Sequence, residues 1–148
     1  MKIYIGSDHN GYYLKQLAKE FLSRAGDDVV DDGDKELDPK DDFPIFAAKV
    51  VNNILSSTDG DARGILLCGS GQGMCMAANR YKGIRACLAW DTNSARASRN
   101  DDNSNILCIP AHLIDKKEIP GIIKTWLDTP FAGSTRFVRR IKEMDELN

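Results

Sequence analysis

Along this chain, short apolar runs alternate with longer stretches in which apolar residues recur every three or four positions. Five runs read as strands: Lys2–Gly6, Asp28–Val30, Gly64–Cys68, Ile84–Ala89 and Ile106–Ile109, all brief and rich in β-branched or apolar side chains. Between the first two, Leu14, Leu17, Ala18, Phe21 and Leu22 fall at i, i+3, i+4, i+7 and i+8. That spacing predicts a helix with Lys15, Lys19, Glu20 and Arg24 on its polar side. Phe46, Ala47, Val50, Val51, Ile54 and Leu55 repeat the stripe, opened by Asp41 and Asp42 beside Pro44. Further helices are predicted over Met74–Asn79, Ser94–Arg99, Glu118–Leu127 and Arg136–Leu147. Strands alternating with helices imply crossover units and a parallel sheet covered on both faces. The expected architecture is a single domain over residues 1–148, an α/β protein built as a three-layer, Rossmann-like α/β/α sandwich. It has a five-stranded parallel sheet and a C-terminal helix.

Composition narrows the partners. The 148 residues are 42% hydrophobic and 28% charged, a balance that sustains one folded core and argues against disorder. A net charge of −2 gives no reason to expect nucleic acid or an anionic membrane as partner. No apolar stretch approaches the roughly 20 residues of a membrane span, and the apolar residues of MKIYIGSDH are too few for a leader's core. The four cysteines, Cys68, Cys75, Cys87 and Cys108, include no C-x2-C pair, so a reduced, cytoplasmic protein is expected. Nine acidic residues crowd Asp27–Asp42; their spacing does not match a calcium loop, and a solvated loop leading to the second long helix is the expectation.

Ligands of open parallel sheets bind outside the carboxyl ends of the strands, so those ends carry the candidate chemistry. Strand one runs into Gly6-Ser7-Asp8-His9-Asn10-Gly11, and strand three into Cys68-Gly69-Ser70-Gly71-Gln72-Gly73 at the start of a helix. Glycines at alternate positions let backbone amides turn toward one point and cradle a small oxyanion. A dinucleotide fingerprint would need glycine where Met74 stands, and a Walker loop would need G-K-[ST]; neither is present. A thiol at Cys68, facing a helix start and a nest of amides, is expected to have a lowered pKa and serve as base or nucleophile. It could equally be the last buried residue of its strand. Arg136 and Arg140 share a helix face at i, i+4 and could clamp a phosphate, or form a solvated cationic face. Glu143, Asp145 and Glu146 follow at once, which rules out a polyanion-binding patch.

Taken in order, Gly6-Ser7-Asp8-His9-x-Gly11, Asp42-Phe43-Pro44, Gly64–Gly71 with Gly73, Ala77-Ala78-Asn79-Arg80, Gly83-Ile84-Arg85-Ala86 and Ser98-Arg99 closely resemble the type B ribose-5-phosphate isomerases. That family includes the galactose-6-phosphate and allose-6-phosphate isomerases. The resemblance runs over nearly the whole chain and implies an aldose–ketose isomerase that works on a sugar phosphate without metal or organic cofactor, through a cis-enediolate. By the same resemblance Cys68 is the base, and Gly69, Gly71 and Gly73 hold the enediolate oxygen. Ser70 relays protons, Asp8 and His9 contact the sugar, and Arg136 with Arg140 form the phosphate clamp. It also implies a homodimer or dimer of dimers with sites between subunits.

The departures fall in the site itself. Where the family reads S-R-x-H-N-x-x-N, this chain has Ser98-Arg99-Asn100-Asp101-Asp102-Asn103-Ser104-Asn105. Asp101 thus replaces the histidine credited with ring opening, and Asp102 the asparagine after it. His112 occupies a phosphate-contacting arginine position, Phe43 the tyrosine of D-Y-P, and Phe137 the histidine after the first clamp arginine. Two functional readings follow: an active isomerase with Cys68 as base and altered substrate preference, or a non-catalytic subunit that binds sugar phosphate in a hetero-oligomer. Retention of Cys68, Ser70 and the glycines favours the enzyme.

Overall fold

The alternation of strand and helix is carried through in the computed structural model, which describes residues 1–147. In chain order the elements are β1 (Lys2–Ser7), α1 (Tyr12–Ala25), β2 (Asp28–Asp31), α2 (Phe43–Ser56), β3 (Arg63–Cys68), α3 (Gln72–Ala78), β4 (Ala86–Leu88), α4 (Thr92–Asn100), β5 (Ile106–Pro110), α5 (Ile119–Asp128) and α6 (Thr135–Asp145). All strands pair in parallel in the order β2-β1-β3-β5-β4. The chain moves outward from β1 to β2, then returns across β1 to β3. The strand order therefore reverses between β1 and β3, where a crevice opens at the carboxyl ends. Ser7 lies opposite Leu67 there, and Cys68 opposite Pro110 of β5.

Alternate residues of the central strands feed two cores. Ile3, Ile5, Ile65, Leu67, Leu107 and Ile109 pack against α1, α4 and α5, whereas Tyr4, Leu66, Cys68, Ile106 and Cys108 pack against α2 and α3. This is the expected three-layer sandwich. Gly26, at φ +89°, ends α1; Pro44 lies in the first turn of α2; an Asp91–Ser94 capping box opens α4, each a helix boundary the sequence signals directly. α6 buries no residue against the rest of the chain.

Strand β4 is shorter than the predicted Ile84–Ala89. The Asn79 side chain takes both backbone groups of Ala86 (2.8 Å each), and Asn105 Oδ1 accepts the Arg85 amide at 2.8 Å, so side chains replace the ladder at the strand's start. Two further expectations are corrected on the acidic stretch. Lys15, assigned to the polar side of α1, is fully buried, its Nζ donating to both Asp31 oxygens (2.8 and 2.9 Å) and to the Asp34 carbonyl (2.7 Å). The loop after β2 is therefore not simply solvated: Lys15 and Lys19 tie it down through Asp31.

Candidate active site

The turn after β1 is closed by Asp8, whose Oδ1 accepts the amides of Asn10 (2.9 Å) and Gly11 (3.2 Å). Gly11 presses so closely on β3 that a Cβ there would lie 2.4 Å from the Leu67 carbonyl oxygen. This close approach of two strand ends brings Asp8, itself 5% exposed, beside Cys68, also 5% exposed. After Cys68 the chain turns through Gly71, at φ +74°, where a Cβ would stand 2.3 Å from Leu88 Cδ1. Only glycine meets both demands. On the far side the His112 amide donates to the Gly69 carbonyl at 2.9 Å, and its ring sits close above Gly69. The Phe43 ring stands over Gly73.

The Cys68 thiol departs from expectation. Burial pushes its pKa up, and the charge of Asp8 adds to the rise; the amides of Met74, Gly71 and Ser70 pull the other way without prevailing. The amide nest is real, but a thiol this deep loses more hydration than the amides replace. Asp8 is likewise raised, chiefly by burial.

His9, one residue further along, meets Asp41 from the β2–α2 loop: Nδ1 and Oδ1 are 2.5 Å apart. That hydrogen bond, foremost, raises the His9 pKa. Ligand atoms of Asp8, His9 and Asp41 all lie within 4.8 Å of one another. Yet 2.5 Å is a hydrogen-bond separation, whereas two ligands on one tetrahedral ion at about 2.1 Å stand roughly 3.4 Å apart. The trio is built as an acid–imidazole pair and is not arranged as a metal cage.

Of the residues singled out in the sequence, Asp8, His9, Cys68, Gly69, Ser70, Gly71, Gly73 and His112 gather at the β1–β3 crevice. Asp101, Asp102 and Arg140 form a second group, with Arg136 one turn before Arg140 on α6. Asp101 caps the end of α4 and accepts from Asn100 Nδ2 at 2.7 Å. Asp102 has its pKa raised by partial shielding from water and by Asp101, and Arg140 opposes that rise. Among the described residues, no hydrogen bond or ion pair joins the two groups. Sequence reasoning missed Asp41 as a site residue. Asp41 was one acid among nine, and only its contact with His9, 32 positions away, distinguishes it.

A sheet of this order, with its reactive side chains at the reversal point and a turn suited to a small oxyanion, places the chain among the α/β enzymes of small-molecule metabolism. The comparisons sharpen this: residues 3–144 match the family described as Ribose/Galactose Isomerase, and the chain belongs to that family. It is 39% identical over 142 residues to the probable ribose-5-phosphate isomerase B of Mycoplasma genitalium, covering 96% of this chain and 92% of the relative. Among solved structures it resembles a ribose 5-phosphate isomerase of Thermotoga maritima, with a TM-score of 0.92 and 46% identity over 98% of this chain and 97% of the other. It also resembles the Mycoplasma genitalium ribose-5-phosphate isomerase B with bound ribulose-5-phosphate, with a TM-score of 0.93 and 37% identity over 99% and 95% of the two chains.

Proposed function

We propose that this protein interconverts an aldose phosphate and its ketose through a cis-enediolate, with ribose 5-phosphate the first substrate to test and Cys68 as the base. The observation that carries the reading is the buried Cys68 thiol set among the amides of Ser70, Gly71 and Met74 and beside Asp8. As thiolate, Cys68 takes the proton from C2. The electron pair moves to the carbonyl oxygen, which the Gly69, Gly71 and Gly73 turn receives, and the proton returns at C1. Each preorganised donor to that oxygen is worth about 3 kcal/mol. Ser70, which is exposed, relays a proton between the two oxygens in this reading. No step needs a metal or organic cofactor. The four cysteines are free thiols, which fits a reducing, cytoplasmic location. The curated relatives support the enzyme reading over a non-catalytic subunit.

The second group of residues acts, in this reading, on a neighbouring copy. Phe137, Val138, Ile141 and Met144 form an apolar stripe on α6 that its own chain covers only in part, with Val138 50% and Met144 42% exposed. Arg136 and Arg140 flank it. A homodimer that covers this stripe carries the phosphate clamp, and Asp101 and Asp102 with it, into the partner's crevice.

Incubating the protein with ribose 5-phosphate in D2O and following the products by NMR tests the activity. Ribulose 5-phosphate carrying deuterium from solvent is expected, with turnover at least 100-fold lower in a folded Cys68→Ala variant. Undiminished turnover in that variant would remove Cys68 from the reaction.

A further inference from the structure

Proton transfer between C1 and C2 gives the His9–Asp41 pair no proton to move, and sugar contact at His9 alone does not account for Asp41. Asp41 is held in the loop between β2 and α2 with its side chain 6% exposed. One oxygen meets His9 Nδ1; the carboxyl group is buried, with the Asp34 carboxyl close by. The His9 side chain is 30% exposed, and its Nε2 has no hydrogen-bond partner among the described residues. An imidazole fixed through Nδ1 to a buried carboxylate and open at Nε2 is arranged to accept a proton and pass it on, because the carboxylate sets the tautomer and stabilises the imidazolium. Asp101, at the position the resemblance links to ring opening, reaches the crevice only from a partner copy in the reading above, whereas the His9–Asp41 pair is built within one chain beside Asp8.

We infer that His9 opens the sugar ring and that Asp41 is its positioning residue, an assignment that rests on the isomerase reading above. His9 Nε2 takes the proton from the anomeric hydroxyl. The bond from C1 to the ring oxygen breaks as the C1 carbonyl forms, and the same proton then passes from the imidazolium to the ring oxygen. Nothing is oxidised or reduced, and the imidazole ends as it began. Asp41 offsets the charge carried between the two transfers. The groups facing the pair are Asp8 and Asp38 toward His9, and Asp34, with Lys49 beyond it, toward Asp41.

The test compares the full-length enzyme with Asp41→Asn, His9→Gln and the double variant, on ribose 5-phosphate and its C2-deuterated form. Asp41→Asn is expected to lower kcat/KM roughly 10- to 100-fold and to move the acid limb of its pH profile to lower pH. The double variant should be no slower than His9→Gln. The C2 isotope effect should be no larger than that of the parent enzyme, because the slowed step precedes proton removal at C2. An unchanged rate and pH profile, multiplying effects in the double variant, or a larger isotope effect would overturn the assignment. Imidazole NMR of the parent enzyme gives a check independent of turnover and of variant folding. A strongly deshielded His9 Nδ1 proton is expected, retained in Cys68→Ala, and its absence from the parent enzyme overturns the pair. A parent enzyme that turns over no sugar phosphate while showing that proton overturns the isomerase reading instead.

Discussion

At the scale of single residues the Cys68 thiol is governed by opposing influences. Burial and Asp8 hold the Cys68 pKa up while three amides draw it down. The proposed reaction needs Cys68 as thiolate, a form that its raised pKa makes scarce at neutral pH and more abundant as the solution becomes alkaline. The free enzyme's kcat/KM is therefore expected to rise with pH on the alkaline side of neutrality. Replacing Asp8 by Asn removes a like charge and should move that rise to lower pH, even as substrate binding weakens; a limb that stays in place or moves upward would show that Asp8 does not bear on the thiol. The identity of Cys68 was legible from its place at a strand end before alternate glycines. Its pKa was not, because hydration lost on burial depends on Met74, Leu88 and the Asp8 turn packing over it, which no local spacing reports.

At the scale of elements, three buried cations, Lys15, Arg63 and Arg99, anchor helices to their neighbours. Lys15 of α1 joins Asp31 of β2 with its side chain 0% exposed and that of Asp31 19% exposed. Burial alone would raise the Asp31 pKa, but hydrogen bonds from Lys15 and Lys19 outweigh it and the net shift is downward. The stability this contributes is present above the ordinary carboxylate pKa near 4 and is lost as pH falls through the lower folded value. Lys15→Met leaves Asp31 partly unpaired and is expected to cost about 3 kcal/mol, with acid unfolding displaced to higher pH; denaturation curves at pH 7 and pH 4 would check both. Trp126 of α5 is wholly buried between the Arg63 and Arg99 guanidinium groups at 5.6 and 5.9 Å, its Nε1 donating to Ser104 Oγ at 2.8 Å. Burial foremost lowers the Arg99 pKa to about 10. Element order and the apolar stripes were legible in sequence, as Leu14–Leu22 and Phe46–Leu55 attest. The burial of Lys15 was not, because it is set by an acid 16 residues away on the neighbouring strand.

At the scale of the whole molecule, the candidate residues fall into two separate sets. The β1–β3 crevice collects Cys68 and its neighbours, while α6, which carries Arg136 and Arg140, has no fully buried residue. Residue spacing revealed each set separately, since i, i+4 arginines and alternate glycines are local patterns. Their separation became visible only once the chain was folded. The account's central claim, a Cys68-dependent isomerase whose site is closed by a second copy, is tested most directly by mixing two inactive variants. Cys68→Ala and Arg140→Ala, each purified, are unfolded together in equal amounts and refolded. In a random mixture half the dimers are hybrid, and each hybrid holds one intact site of its two, so activity should return to about a quarter of that of the parent enzyme. A mixture that stays inactive, or an Arg140→Ala variant that is fully active alone, would contradict the account.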